Sequence, residues 1–245
     1  MKVLLPVFFV ASASIGAASD SVVGTIKGKV SFDGEAPKME ALQIDDAAAK
    51  GCVHEGSVDT TDRSVRVHKT GGIADVVVTV SVKGMEIEVP SEPIVIDQEG
   101  CRFTNPVVVV PEGATVRYAN SDGLNHNVHT YAIKNKALNS NIPGGSHEEQ
   151  ELSKSEDFEV KCDIHPWMKS VVYVTDDPIY GMTTADGSFT LTGVPAGTYK
   201  VNYWHPKLGK GKSDEITVEA GADAMVEIKM GGEDKKKKGG RGRGR

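Results

Sequence analysis

The sequence predicts an all-β protein, and three observations carry that prediction. Short runs rich in β-branched residues recur at close spacing, with Gly, Pro, Asn and Asp gathered between them. Glycine stands at 27 and proline at 11 among 245 residues, and the long Leu/Ala/Glu stretches that build helices are missing. Turn signals such as Asp186-Gly187 and Pro111-Glu112-Gly113 fall where apolar runs stop. Together they mean β-sandwich.

The elements follow in chain order. Residues 24–32 alternate apolar and polar side chains (Ile26, Val30, Phe32), as an edge or hairpin strand does. A weakly patterned stretch, 33–72, has one plausible helical turn at 45–50. Residues 76–82 are a strong β-branched run. Ile94-Val95-Ile96 opens a second block, and Val107 to Val110 reads as a buried strand closed by the turn at 111–113. Residues 115–118 alternate again, and 128–132, 158–162 and 171–174 read as strands. The last block carries hairpin chemistry, with Asp186-Gly187 between 182–184 and 189–191, then Pro195-Ala196-Gly197 before 199–203. Runs at 216–218 and 225–228 close the pattern.

Both ends of the chain carry a message of their own. Lys2 precedes an apolar run over 3–10, and small residues follow to Ser19, so residues 1–19 read as a secretory signal peptide. A spanning helix needs about 20 apolar residues, which no stretch supplies, so no transmembrane segment is expected. The expected location is periplasmic or secreted. The formal charge of −6 conceals a polarity, because residues 232–245 hold four lysines and three arginines against two acids. This basic tail reads as disordered and able to touch anionic surfaces. The acidic remainder lacks the positive footprint that phosphate binding requires, so nucleic acid is excluded as a partner.

Three cysteines must be explained in an oxidising compartment. Parity pairs Cys52 with Cys101 and leaves Cys162 for chemistry; three buried thiols would leave the case for Cys162 unchanged. Cys162 begins Cys162-Asp163-Ile164-His165-Pro166-Trp167-Met168, a C-x2-H-x2-M loop between strand-like segments. Upstream, a polar loop from Asn120 leads to His126 and His129. Singly, each is a common packing residue. As a set, one thiolate, two imidazoles and a thioether describe a type 1 copper site, with zinc as the chemical rival. His129 lies three residues after His126, an odd spacing that sends it to the opposite strand face. His54, His68, His147 and His205 read as surface or structural.

Three stretches, VVVVPEGATVRYAN (107–120), NHNVH (125–129) and CDIHPWM (162–168), resemble the cupredoxins, in particular the amicyanin and plastocyanin group and the methylamine utilisation-type proteins. The likeness implies a Greek-key β-sandwich over about a third of the chain. It implies one copper ion, Cu(I)/Cu(II), held by His126, Cys162 and His165 with Met168 as axial ligand. Asn120 would support the site by tying the two ligand loops together. An exposed edge of His165, ringed by Pro166 and Trp167, would be the docking face. Residues 158–161 lack the family's usual glycine and aromatic residues before the cysteine.

A second resemblance joins TTADGSFTL (183–191) and GVPAGTY (193–199), with Gly28-Lys29-Val30 and Gly34-Glu35-Ala36-Pro37, to carboxypeptidase regulatory-like domains, small transthyretin-like β-sandwiches. The expected layout is a discontinuous sandwich over 20–90 plus 177–231, with the copper domain, 91–176, inserted. The expected function is an exported carrier of single electrons, not an enzyme. No H-x-H pair is present for a second copper centre. Its partner would be a redox protein such as a c-type cytochrome or a dehydrogenase. The alternative is a copper-binding or adhesive extracellular module without redox turnover.

Overall fold

The computed structural model describes residues 22–44, 52 and 59–232. The signal segment, the helical turn expected at 45–50, His54 and the tail from 233 onward lie outside the described residues. Eighteen strands follow in order: β1 (Val23–Phe32), β2 (Val77–Val80), β3 (Ile94–Glu99), β4 (Arg102–Phe103), β5 (Val107–Pro111), β6 (Ala114–Asn120), β7 (His126–Thr130), β8 (Asn139–Ile142), β9 (His147–Leu152), β10 (Glu156–Lys161), β11 (Lys169–Thr175), β12 (Ile179–Met182), β13 (Ser188–Pro195), β14 (Gly197–Tyr199), β15 (Asn202–His205), β16 (Gly209–Lys212), β17 (Ile216–Val218) and β18 (Asp223–Met230). The protein is all-β; among the described residues there is no helix, and none long and apolar enough to cross a membrane.

Strands β3 to β11 form two sheets, ordered β5-β11-β10-β7-β8 and β4-β3-β6-β9. Period-two patterning explains their facing: β6 buries Ala114, Val116, Tyr118 and Asn120 and turns the residues between them outward. The enclosed core includes Ile96, Phe103, Val128, Leu152, Val160 and Val172. The pairs β5/β11 and β3/β6 are parallel, so their connections must cross between the sheets instead of turning back directly.

The remaining strands form sheets β13-β1-β18, β12-β2-β15-β16 and β14-β17 around a second core with Ile26, Val30, Val76, Val78, Leu191 and Ile228. The chain re-enters this set within three residues of β11. The Asp177 carboxylate fastens that crossing by accepting from Thr79 Oγ1, Ser81 Oγ and Asn202 Nδ2.

Two expectations need correction. Strand β1 is not an edge: it lies between β13 and the parallel β18, and both its neighbours demand buried side chains such as Ile26 and Val30. The Asp186-Gly187 turn is real, since Thr184 N donates to Ser188 O at 2.8 Å, but it does not close a hairpin. Strand β12 pairs with β2 and β13 with β1, so the turn carries the chain from one sheet to the other. Gly187 has φ +85°, and a Cβ there would lie 2.4 Å from Val30 O. Positive φ and close backbone approach together require glycine.

Candidate metal centre

His126 opens β7, and Cys162 follows the last residue of β10, with which β7 pairs antiparallel. The sheet therefore brings the two segments side by side. The loop after Cys162 folds back on itself: Met168 N donates to His165 O at 2.8 Å, and Cys162 N donates to Met168 O at 3.3 Å. This tight closure puts Cys162, His165 and Met168 within one buried turn; all three are 4 % exposed or less.

The donor atoms converge. His126 Nδ1 and His165 Nδ1 are 3.0 Å apart, and Cys162 Sγ is 3.6 Å from His165 Nδ1. Ligand atoms of His126, Cys162 and His165 all lie within 4.8 Å of one another. Met168 is buried in the same core cluster as Cys162. The set suits a soft or borderline transition metal, with both imidazole Nδ1 atoms facing the thiol.

Charge is arranged around this cluster. Burial opposes a Cys162 thiolate, yet hydrogen bonding to His126 and donation from the backbone of Asn127 outweigh it, and the thiol pKa falls below its ordinary value. Burial likewise disfavours a charged His126, but bonding to Cys162 and Asp122 wins and raises its pKa. His165 goes the other way, lowered by burial and by repulsion from His126. The shift favours the thiolate, the form in which a cysteine binds a metal ion.

Asp122 is the residue that the sequence did not reveal. It is buried, and His126 Nε2–H donates to its Oδ2 at 2.7 Å. Gly100 N and Cys101 N donate to the same carboxylate at 2.7 and 2.8 Å. Burial raises its pKa, but these bonds, led by that from His126, lower it further than burial raises it. The bond to Nε2 fixes the His126 tautomer and leaves Nδ1 free as a ligand. An acid four residues before a histidine in a polar loop was the only available signal.

Asn120 and Asn127 make different contacts around the cluster. Asn120 Nδ2 donates to Leu124 O and Ile142 O, and its Oδ1 accepts from Asp122 N, so it braces its own loop and β8. Asn127 spans the two ligand segments: its N–H points to Cys162 Sγ at 3.4 Å and its Oδ1 accepts from Asp163 N at 2.5 Å. The physical reason is adjacency, since Asn127 sits on β7 beside His126 and opposite the end of β10.

Cys52 and Cys101 form a disulfide, and a ligand atom of each lies within 4.8 Å of one from His165. Trp167 Nε1 donates to Cys101 O at 3.1 Å while its ring packs 5.2 Å from that of His165. The expected exposed edge of His165 is not exposed. Its ring is buried, Trp167 is half-buried and Pro166 alone of the three is open to solvent. His129 lies outside the cluster, paired with exposed Asp163 at 3.1 Å and stacked on Tyr131. His205 is buried in the other strand set, and His68 bonds to Thr70.

Comparison with known proteins gives three results. A family model, polysaccharide lyase family 4, domain II, matches residues 167–226. No curated protein matches the chain. Among solved structures the chain is similar to cupredoxins over part of its length. Amicyanin from Paracoccus versutus is 21 % identical over 40 % of this chain and 97 % of its own, with a TM-score of 0.31. A purple cupredoxin from Nitrosopumilus maritimus is 22 % identical over 35 % of this chain and all of its own, at 0.30. A copper-containing nitrite reductase from Thermus scotoductus is 22 % identical over 40 % of this chain, at 0.33, and the match spans only 25 % of the reductase.

Proposed function

We propose that this chain is an exported type 1 copper protein that passes single electrons between redox partners. The observation that carries this reading is the buried convergence of His126 Nδ1, His165 Nδ1 and Cys162 Sγ. Copper bound there would supply a one-electron couple with strong thiolate coupling. The chain's own residues do the rest. Cys162 offers an anionic sulfur that the Asn127 N–H supports, Asp122 holds the His126 tautomer, and Met168 is the expected weak fourth donor. The segments that carry His126, Cys162 and Met168 are joined to neighbouring strands β7, β10 and β11 of one sheet, which would keep the ligands in one arrangement through a change of charge.

A c-type cytochrome or a dehydrogenase is the proposed partner, and Pro166 and Ile164 are the exposed apolar residues of the ligand loop where it would dock. Absence of catalytic turnover and export to the periplasm or beyond belong to the same proposal. So does the division into a copper domain, 91–176, inserted into a regulatory-like sandwich of 20–90 plus 177–231; the two separate cores support it.

The test is the visible absorption spectrum of the chain titrated with Cu(II) and then ascorbate. An intense thiolate-to-copper band that saturates at one equivalent and bleaches reversibly is expected; zinc bound in preference, with no band, would overturn the reading. The family match over 167–226, which takes in most of the strands from β12 to β18, favours a second reading. In it the chain is a copper-binding or adhesive extracellular module, and bound copper would fail to exchange electrons with cytochromes.

A further inference from the structure

The chain has two tryptophans, and both line one cavity between the strand sets. Trp167 comes from the ligand loop and Trp204 from β15 of the other set. The cavity holds about 700 Å³, within the range of small-molecule sites. Each indole is held in place: Trp167 by its bond to Cys101 O and its packing on His165, and Trp204 by packing on Tyr173 with centroids 4.8 Å apart. Rigid aromatic walls contribute stacking energy with little loss of side-chain entropy.

The charge in this cavity runs against the acidic character of the chain. Five basic side chains line it against three acidic ones. Among the described residues Lys169, Lys207 and Lys210 form no ion pair. The Nε of Arg63, which also lines the cavity, has no hydrogen-bond partner among them. Of the acids, Glu159 is paired with Lys161 at 2.5 Å and also feels the charges of Lys169 and Lys207. Cations donate hydrogen bonds and accept none, which suits an anion better than a neutral polyol.

We infer that this cavity is a binding site for a planar aromatic carboxylate. Its rings stack against the Trp167 and Trp204 walls, and its carboxylate meets the lysines of β11 and the β15–β16 turn. The occupant also lies against Met168, which lines the same cavity. Resting on the copper reading, this contact makes occupancy visible as a shift of the copper band.

The test uses the full chain before and after copper loading, titrated with 2-naphthoate by calorimetry and by 1H–15N spectra, in which only two indole Nε1–H signals exist. Saturable one-to-one binding that moves both indole signals is expected, with decahydro-2-naphthoate at least tenfold weaker. Lys207→Glu, a change at an exposed site, should weaken binding at least fivefold, and Trp204→Leu at least tenfold. Equal binding of the saturated acid, preference for cellobiose, or no saturable binding to a folded chain would each overturn the proposal. Binding to the metal-free chain is scored apart from the copper titration, so either reading can fail alone.

Discussion

The two cores of this molecule are built from the same strand chemistry but differ in what they bury. Around β1, β2 and β12–β18 the core is aliphatic, with few buried polar groups beyond Asp75, Thr79, Thr183 and His205. Around β3–β11 a polar seam runs through the interior, with Asn120, Asp122, His126, Asn127 and His165 all buried. Each buried polar group costs free energy unless it is fully bonded, and here Asp122 accepts three N–H donors while Asn127 and Asn120 spend their amides on neighbouring loops. The difference teaches where chemistry resides. A sandwich needs no such seam to fold, so a satisfied one at the end of a sheet marks a site.

The largest expected effect breaks the seam at its sulfur. Cys162→Ser should abolish the thiolate-to-copper band altogether while the β-sheet circular dichroism is kept; a retained band would remove Cys162 from the site. Next comes the disulfide, which closes 49 residues of chain. Replacing Cys52 and Cys101 together by alanine should cost about 4 kcal/mol by loop entropy, read by denaturant unfolding. Because Cys101 O receives Trp167 Nε1–H and Cys101 N donates to Asp122, the variant should also shift the copper band. An equal loss of stability with an unmoved band would confine the disulfide to folding.

Acid should also act on the aliphatic core. Burial pushes His205 down to about 4 from its ordinary value of 6.5. The unfolded chain therefore takes up a proton that the folded chain refuses, and stability falls as pH drops from about 6.5 towards 4. The loss is about 3 kcal/mol. His205→Gln should flatten that limb in a pH series of unfolding curves, whereas an unchanged slope would place the titration elsewhere.

A smaller change sharpens the comparison within the seam. Asp122→Asn keeps an acceptor for His126 but removes the charge, and copper affinity should fall about 10- to 100-fold in a chelator competition. Thr183→Val, at a buried bond to Val76 N and Ile73 O in the other core, should lower stability and leave copper affinity alone. The smallest effect is a gain. Tyr118 OH is buried with no hydrogen-bond partner among the described residues, so Tyr118→Phe should stabilise the chain by about 1 kcal/mol.

Legibility followed burial. Strands such as β2, β5, β6 and β11 were readable because both or alternate faces are buried and apolar, even where, as in β5, the strand lies at a sheet edge. The strands that escaped notice, β4, β8, β9 and β16, are all sheet edges. Segments such as NSNI and HEEQEL carry the polar residues that keep an edge from pairing with other chains, and that masks the strand pattern. The turn at Asp186-Gly187 was visible, but a turn motif specifies a local reversal and not which strands it joins.

By itself the sequence determined an all-β chain and a short loop that keeps three candidate donors together, because Cys162, His165 and Met168 are close along the backbone in any conformation. Only the tertiary structure decided that His126 meets Cys162 and His165, that Asp122 and not a backbone group holds its far nitrogen, and that Asn127 links β7 to the segment after β10. It also decided that the Cys52–Cys101 bond and Trp167 gather around His165, and that Trp167 and Trp204 line one cavity. Those neighbours come from distant segments, and which of them touch depends on strand pairing and sheet packing, a sum of many weak long-range terms that no local pattern encodes.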